Sequence, residues 1–364
     1  MAQEPNESNF QWLEVRNFRG LEHVRLDGLG QVNLIVGKNN AGKTTLLEAI
    51  RFYATGGAPR ALWEILLGRD ETVAGPAGES EIVDPADSPL LTLFRGRPEL
   101  AGATSGISVA SNLGELRAAI QWMSEDNSHE AYVRRQWPPY PVFVVGGRAN
   151  REYRLNIDVR RAALSPLREA PANLADACVF VGSNGIPPEV WAGMWDAIVL
   201  TDAEDDLIKS LRFLTPGIER ISLVGSGKRS LRIPMAKVSG FRQAVPFRSL
   251  GDGVNRTLGL LVALATIRGG GVLLIDEVEN GIHYSAQDEL WKLLIDAAMR
   301  FNVQVFATTH SSDCIRAFLR ATAAVPGPTT GVLTRLEQRK GKIIATQFSE
   351  EELGIADSAR IEVR

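Results

Sequence analysis

The chain has 364 residues, a hydrophobic content of 45%, a charged content of 23% and a formal net charge of −3. This composition is that of a globular protein with a substantial core, and it excludes a polycation that coats nucleic acid over its whole surface. Two cysteines without metal-ligand spacing, a polar N-terminus and the lack of a membrane-spanning apolar run predict a reduced, cytoplasmic protein without a membrane partner.

The N-terminal part of the chain is predicted to contain a hairpin and two helices. Two short strands at residues 11–15 and 23–26 are joined by a basic turn over residues 16–21. Residues 58–68 have the pattern of an apolar helix, and residues 70–87 form an acidic loop rich in glycine and proline. The first functional motif lies between the hairpin and this helix.

That motif is a glycine-rich loop with the sequence G-K-N-N-A-G-K-T-T, which fits the phosphate-binding pattern G-x-x-x-x-G-K-[ST]. Residues 32–36 before it predict a buried strand, and residues 46–53 after it predict an amphipathic helix. This context disfavours the alternative, a glycine-rich turn before an ordinary helix. Loop N–H groups and the helix N-terminus attract phosphates, Lys43 reaches the β- and γ-phosphates, and the Thr44 hydroxyl binds Mg²⁺. The predicted nucleotide-binding residues of this P-loop are Gly37, Lys38, Asn39, Asn40, Ala41, Gly42, Lys43, Thr44 and Thr45.

The middle of the chain alternates like an antiparallel sheet and is rich in arginine. Strands are predicted at residues 116–123, 131–137, 142–145 and 153–159. The arginines of this segment are Arg134, Arg135, Arg148, Arg151, Arg154, Arg160, Arg161 and Arg168, opposed by Glu152 and Asp158. The excess of positive charge fits either a solvated strand face or a surface that contacts phosphates or an acidic partner.

Further along, a strand is predicted at residues 178–181, helices at 187–200 and 202–214, and strands at 218–224 and 231–233. Four carboxylates, at residues 202, 204, 205 and 206, fall near the start of the second helix. Negative charge there suits the helix dipole, which explains the cluster better than a metal site does.

The sequence S-L-G-D-G at residues 249–253 opens a long apolar helix over residues 254–267. Ser249 and Asp252 have the S-x-x-[DE] spacing of a capping box, so their local interpretation is a well-formed helix start. The strand that follows makes a second interpretation necessary.

Residues 272–275 predict a buried parallel strand, directly followed by Asp276 and Glu277. Neighbouring strand residues point to opposite sides, so we expect Asp276 to hold Mg²⁺ and Glu277 to orient and deprotonate a water. Residues 303–309 predict another apolar strand, and His310 at its C-terminal end lies where a γ-phosphate is sensed. Glu277, His310 and Lys43 are therefore the predicted catalytic groups.

These stretches together resemble the ABC-type ATPase heads of the SMC and RecF class, and more closely the ATPase modules of OLD-type proteins and of phage-defence ATPases such as the PARIS ATPase subunit. The matching sequences are N-F-R-G-L at residues 17–21, the P-loop, S-L-G-D-G, L-L-I-D-E-V-E-N-G-I-H at residues 273–283 and A-T-T-H-S at residues 307–311. The resemblance implies an α/β P-loop NTPase with a mixed sheet, an antiparallel β lobe and a helical inserted region. It further implies one domain over residues 10–364, with a P-loop lobe at 10–68, an insertion at 69–215 and a signature and Walker B lobe at 216–364.

Heads of this class dimerise head to tail around two ATP molecules, and the signature segment of one head meets the γ-phosphate on the P-loop of the other. The resemblance implies that Ser249 and Gly251 make these contacts. Leu250 and Asp252 stand where many transporter ATPases have glycine and glutamine, so the contacts differ in detail. The other positions carried by the resemblance are Asn39 as the P-loop asparagine, residues 279–283 as the segment that couples the two sites, His310 as the switch histidine, and Arg16 and Arg19 in a turn that approaches the nucleotide in relatives.

The first hypothesis for function is an ATP- and Mg²⁺-dependent switch that forms a homodimer and controls a separately encoded nuclease or toxin in phage defence. The alternative is a RecF-like clamp that grips DNA when ATP joins two heads. A scaffold that binds ATP without turnover and a transporter ATPase are disfavoured by the intact catalytic groups and by N-F-R-G-L. Sustained heptads are missing, and about fifty residues follow His310, so neither long coiled-coil arms nor a TOPRIM nuclease domain is expected.

Overall fold

The structure is a computed structural model that describes residues 9–71, 88–97, 106–123, 140–147, 152–156, 178–186, 188–212, 215–225, 232–325 and 330–348. The strands are β1 (Leu13–Phe18), β2 (Leu21–Leu26), β3 (Val32–Val36), β4 (Ile107–Ser111), β5 (Gly114–Met123), β6 (Tyr140–Gly146), β7 (Glu152–Asn156), β8 (Cys178–Val181), β9 (Ile218–Gly225), β10 (Arg232–Val238), β11 (Val245–Pro246), β12 (Val272–Ile275), β13 (Gln304–Thr309), β14 (Gly331–Arg339) and β15 (Lys342–Phe348). The helices are α1 (Lys43–Ala54), α2 (Pro59–Leu67), α3 (Pro188–Asp196), α4 (Asp202–Leu211), α5 (Asp252–Thr266), α6 (Gln287–Phe301) and α7 (Ser312–Ala323).

The central sheet has the strand order β15-β14-β3-β13-β12-β8. All neighbours pair in parallel except β15, which runs antiparallel to β14 at one edge. Every residue of β3, β12 and β13 is buried, as expected of strands covered on both faces. Because these three strands are parallel, their carboxyl ends meet at one edge of the sheet, where such folds bind ligands.

Two hydrophobic cores lie on opposite faces of the central sheet, and alternate residues of each strand supply them. In β12, Leu273 and Ile275 join the core formed with α3, α4, α5, α6 and α7, whereas Val272 and Leu274 join the core formed with α1, α2 and the antiparallel sheet. The helix α5 is buried over most of its length because it packs between the sheet and the outer helices. This double cover fixes the sheet edge that carries the site.

A second sheet is antiparallel and has the order β2-β1-β4-β5-β6-β7. Its first two strands precede the P-loop, and its other four come from the predicted insertion at residues 69–215. The same region supplies β8 to the central sheet. The predicted boundaries of the two lobes and the insertion remain predictions. The segment predicted as an insertion contributes strands to both sheets.

Several predicted elements differ from the structure at their ends. The hairpin strands are longer than predicted, and the turn is reduced to Arg19 and Gly20, because Asn17 and Arg19 adopt positive φ values of 57° and 50°. The first of the paired helices ends at Asp196 and not near residue 200, where Leu200 has a φ of 61°. Most of the predicted loop at 70–87, the strand at 131–137, the arginines apart from Arg154 and the chain beyond residue 348 lie outside the described residues.

Helix lengths and the two cysteines bear on the properties expected from composition. The longest helices, α5 and α6, have 15 residues each. Among the described residues, no helix combines the length and the apolar character needed to cross a bilayer. Neither Cys178 nor Cys314 forms a disulfide, and burial raises the pKa of Cys314 to about 12, which disfavours its reactive thiolate form.

Candidate nucleotide site

The P-loop joins β3 to α1, and two of its glycines are required by the packing around the loop. Gly37 has a φ of 150°, and a Cβ there would lie 2.4 Å from the backbone oxygen of Leu336. Gly42 has a φ of 90°, and a Cβ there would lie 2.7 Å from Cδ1 of Ile343. The sequence assigned these glycines to phosphate approach, whereas the structure shows that they also let the loop pass close to β14 and β15.

The apex of the loop faces solvent, and the N-terminus of α1 lacks a side-chain cap. Lys38, Asn39 and Asn40 are exposed, and Asn40 adopts a φ of 63°. Gly42 is the N-cap residue of α1 and provides no capping side chain, so the first N–H groups of the helix are available to an anion. The loop therefore presents backbone donors of the kind that hold phosphates.

Lys43 folds back over the loop. Its Nζ donates hydrogen bonds to the backbone oxygens of Gly37 at 2.8 Å and Lys38 at 3.1 Å. Burial lowers the pKa of the Lys43 ammonium, and the carboxylates of Asp276, Glu277 and Glu279 oppose that shift. The ammonium thus bonds to the loop carbonyls and lies within electrostatic reach of the acidic residues that follow β12.

Thr44 and Asp276 meet at the carboxyl edge of the sheet, although 232 residues separate them. The Thr44 hydroxyl donates to Oδ2 of Asp276 at 2.9 Å, and the Thr308 hydroxyl donates to Oδ1 of Asp276 at 2.5 Å. A hydroxyl and a carboxylate are hard oxygen ligands, and Mg²⁺ prefers such ligands beside substrate phosphates. The residues present therefore fit a magnesium ion that Thr44 and Asp276 hold together.

Thr308 was not singled out from the sequence, yet it organises the two carboxylates. Its hydroxyl donates to Asp276 and accepts a hydrogen bond from the backbone N–H of Glu277 at 2.9 Å. The parallel register places Ala307 opposite Ile275, so the next residue of β13 comes beside the acidic pair. The sequence alone carries no signal for this contact, because it depends on the register between β12 and β13.

Glu277 is separated from Asp276 by a turn and not by strand alternation. The strand β12 ends at Ile275, and Glu277 adopts a φ of 50°, a left-handed conformation that lies outside the extended range of a regular strand. We expected the alternation of side chains along a strand to direct the two carboxylates to opposite sides. That reason is wrong, because both residues follow the end of the strand. Asn280 Nδ2 donates to Oε2 of Glu277 at 3.3 Å, and Nδ1 of His310 lies 3.8 Å from its Oε1.

His310 follows the end of β13, as predicted, and it is held by Glu279. The backbone N–H of His310 donates to Oε1 of Glu279 at 3.2 Å, and its ring Nδ1 lies 3.5 Å from the same oxygen. The Glu279 side chain is 10% exposed, whereas that of His310 is 53% exposed. The imidazole therefore faces solvent on a buried acidic support that sequence reasoning did not identify.

The signature residues lie at the exposed start of α5, and their predicted capping box is wrong. Gly251, with a φ of 112°, is the N-cap residue, so Ser249 lies two positions too early to cap, and the structure shows no side-chain cap. Within the described residues, no hydrogen bond joins Ser249 or Gly251 to the P-loop. The structure thus brings Lys43, Thr44, Asp276, Glu277 and His310 together, whereas Ser249 and Gly251 are exposed and not bonded to the P-loop of their own chain.

The arginines of the N-terminal turn differ in their surroundings. Arg16 is exposed and pairs with Glu14, whereas the side chain of Arg19 is 7% exposed and contacts Glu48 at 2.9 Å and both oxygens of Glu71 at 2.8 Å. Burial raises the pKa of Glu48 on α1, and the charge of Arg19 opposes that shift. Arg19 is therefore part of a buried ionic network that packs against the P-loop helix.

Replacing Thr308 with valine is expected to lower kcat for ATP hydrolysis roughly 10- to 100-fold. The change removes a hydrogen bond to a carboxylate that is worth about 1.5–3 kcal/mol, and it frees the backbone of Glu277. Steady-state phosphate release measures the effect, with Thr308→Ser expected to stay within about threefold of the wild type and Thr346→Val, on the exposed face of β15, as the matched control. A folded Thr308→Val protein with wild-type kcat would remove Thr308 from the site.

Comparison with known proteins places this geometry in a class. A family model described as "AAA domain, putative AbiEii toxin, Type IV TA system" matches residues 184–313, and one described as "AAA domain" matches residues 13–64. The crystal structure of an Smc head bound to the C-winged helix domain of ScpA superposes with a TM-score of 0.50 at 14% identity, covering 97% of this chain and 99% of that chain. The predicted fold class is confirmed: the chain is a P-loop NTPase with the fold of an ABC-type ATPase head.

Sequence relatives agree with the fold. An ATP/GTP phosphatase of Helicobacter pylori is 26% identical over 84% of this chain and 86% of its own length. A DNA replication and repair protein RecF of Lactococcus lactis subsp. cremoris is 29% identical, but over 29% of this chain and 30% of the relative. The chain therefore has the fold of an SMC head and is similar in sequence to an ATP/GTP phosphatase and, over a shorter stretch, to RecF. These similarities support ATPase activity.

Proposed function

We propose that the protein hydrolyses ATP at a site shared by two copies of the chain and uses the ATP-bound dimer as a molecular switch. One observation carries this proposal. The P-loop and the carboxylates meet within one chain, through the hydrogen bond from Thr44 to Asp276, while Ser249 and Gly251 at the uncapped start of α5 are exposed. Half of a composite site is assembled, and the other half faces outward.

Within one chain, each group has a distinct task. Lys43 binds the β- and γ-phosphates after exchanging its loop carbonyls for phosphate oxygens, and Thr44 and Asp276 hold Mg²⁺. The chemistry that Mg²⁺ supplies is neutralisation of charge on those oxygens. Glu277 accepts a proton from the attacking water, and His310, supported by Glu279, contacts the γ-phosphate side.

Across the dimer, the start of α5 from the second copy completes the site. Ser249 and Gly251 are exposed, and the first N–H groups of α5 have no side-chain cap. A helix N-terminus of this kind attracts anions through its unpaired N–H groups and its dipole. ATP bound on one P-loop is the anion that draws in the signature of the partner, so binding favours pairing and hydrolysis releases it.

The output of the switch is control of a separately encoded effector, a nuclease or a toxin, in defence against phage. This step rests on the resemblance to OLD-type and PARIS-type ATPases and on the family model whose description names an AbiEii toxin.

The experiment is light scattering on the purified chain with ATP and Mg²⁺, with ADP and Mg²⁺, and without nucleotide. Under conditions where turnover is slow, we expect the mass to double in the sample with ATP and Mg²⁺ and to stay that of the monomer in the other two samples. A monomer at every nucleotide concentration that saturates binding would contradict the composite site. Purification from the native locus with a tagged chain identifies the effector, and repeated recovery of the chain alone would count against one.

A RecF-like DNA clamp is the second candidate, supported by the local similarity to RecF. Among the arginines of the arginine-rich segment, the structure describes Arg154, which pairs with Glu152 on β7. Adding duplex DNA to the light-scattering series distinguishes the two functions. DNA binding that requires ATP and weakens steeply with salt supports the clamp.

A further inference from the structure

Arg256 is a buried arginine in α5 that no predicted motif includes. It is 8% exposed, and its two terminal nitrogens reach four backbone oxygens. Nη1 donates to Gly182 at 2.7 Å and to Ser183 at 3.3 Å, and Nη2 donates to Asp276 at 3.2 Å and to Glu277 at 3.4 Å. One guanidinium therefore joins the signature helix to the backbone of both carboxylate residues.

The two segments that Arg256 holds are also joined to each other. The backbone N–H of Asp276 donates to Val181 at the end of β8, and a turn over residues 182–185 follows that strand. Asn280 Nδ2 donates both to the backbone oxygen of Ser183 and to Oε2 of Glu277. The guanidinium thus lies where the end of β8, the end of β12 and α5 converge.

The chemistry of this contact suits arginine and no other side chain. A guanidinium has a rigid planar fork that satisfies pairs of acceptors on two edges, whereas a lysine ammonium is a point charge on a flexible stem. Glu277 adopts a left-handed backbone conformation, which persists only when its surroundings fix it. The bond from Arg256 to the carbonyl of Glu277 is one such constraint. The bond from the backbone N–H of Asn280 to the same carbonyl and the bond from Glu277 N–H to Thr308 are two others.

We infer that Arg256 is a positioning residue, which fixes the turn that carries Glu277 and couples that turn to the start of α5. The inference rests on the proposed role of Glu277 as the base. Because Arg256 lies little more than one turn into α5, a shift of that helix on contact with a phosphate of the partner copy reaches Glu277 directly. Each chain would then adjust its own carboxylate when its signature engages the other nucleotide.

The test compares Arg256→Met and Arg256→Lys with Arg268→Met, which removes the same charge from an exposed arginine just beyond the other end of α5. We expect Arg256→Met to lower kcat about 10- to 100-fold, because small misplacement of a catalytic group has effects of that size, while Kd for ATP changes less than about threefold. Arg256→Lys should recover part of kcat, and Arg268→Met should match the wild type. If Arg256→Met fails to fold, the Lys variant carries the test, with kcat about 10-fold below the wild type expected.

A double-variant cycle separates positioning from a structural role. In the Glu277→Gln background, single-turnover rates should fall less than about twofold when Arg256→Met is added, because both changes act through one group. Wild-type kcat in Arg256→Met, or full additivity with Glu277→Gln, would overturn the inference and leave the proposed function intact. Wild-type turnover in Glu277→Gln itself would instead overturn the proposed role of Glu277, and the inference with it.

Discussion

Replacement of Glu277 with glutamine is expected to lower kcat for ATP hydrolysis by about 10²- to 10⁴-fold, the range that a general base contributes. Glutamine preserves the shape of the side chain and its contact with Asn280 but cannot accept the proton from water. Lys43, Thr44 and Asp276, the groups proposed to bind the nucleotide and Mg²⁺, are not altered by this change. ATP should therefore stay bound, and the dimer should accumulate because its dissolution depends on hydrolysis.

Two measurements on the same sample check this expectation. Single-turnover hydrolysis gives the chemical rate, and light scattering gives the mass with ATP and Mg²⁺. The matched control is Glu289→Gln on α6, where the carboxylate pairs with Lys292 at the surface and away from the site. A Glu277→Gln protein that binds ATP but stays monomeric would contradict the shared site, and one that hydrolyses ATP at the wild-type rate would contradict the assignment of the base.

The parts of the site that are contiguous in sequence could be predicted from the sequence. The P-loop, the acidic pair after β12 and His310 after β13 are each short patterns beside an apolar strand. Parallel strands of one sheet present their carboxyl ends at one edge, so the patterns imply a common site before any contact is known. The hydrogen bond between Thr44 and Asp276 shows that the P-loop and the acidic pair do meet at that edge.

The contacts that orient these groups could not be predicted, because they depend on how separate segments pack. Thr308 reaches Asp276 through the register between β12 and β13, and Arg256 reaches four carbonyls from near the start of an apolar helix. In sequence, an arginine in such a helix is as compatible with a surface position as with a buried one. The predicted capping box was wrong because the sequence spacing did not identify the helix start: the N-cap residue is Gly251 and not Ser249.

In the middle of the chain, the strands could be predicted from the sequence but their pairing could not. Alternating patterns identified β5 and β6, and a short apolar run identified β8. Nothing in those patterns indicates that β4 pairs with β1 or that β8 borders β12, because strand partners distant in sequence are chosen by packing. The region that resembled an insertion is therefore part of both sheets.

Replacement of Lys43 with alanine is expected to lower kcat by at least about 10²- to 10³-fold, the effect of losing one preorganised charged donor at a reacting phosphate. The same change should abolish ATP-dependent pairing, in contrast to Glu277→Gln. Lys43 holds the loop through the carbonyls of Gly37 and Lys38, and in the proposed complex it holds the phosphates that the partner approaches. Loss of the ammonium therefore weakens the anion site before any chemistry occurs.

Nucleotide binding, phosphate release and light scattering, measured side by side, separate the two stages of the cycle. Lys292→Ala, an exposed lysine on α6, is the matched control and should behave as the wild type in all three. Glu277→Gln is expected to pair without turning over, and Lys43→Ala to do neither, because binding precedes pairing and pairing precedes hydrolysis. If Lys43→Ala abolished turnover yet left ATP-dependent pairing intact, the loop would serve the chemistry and not the assembly, and the attraction between the two chains would need another origin than the phosphates on the P-loop.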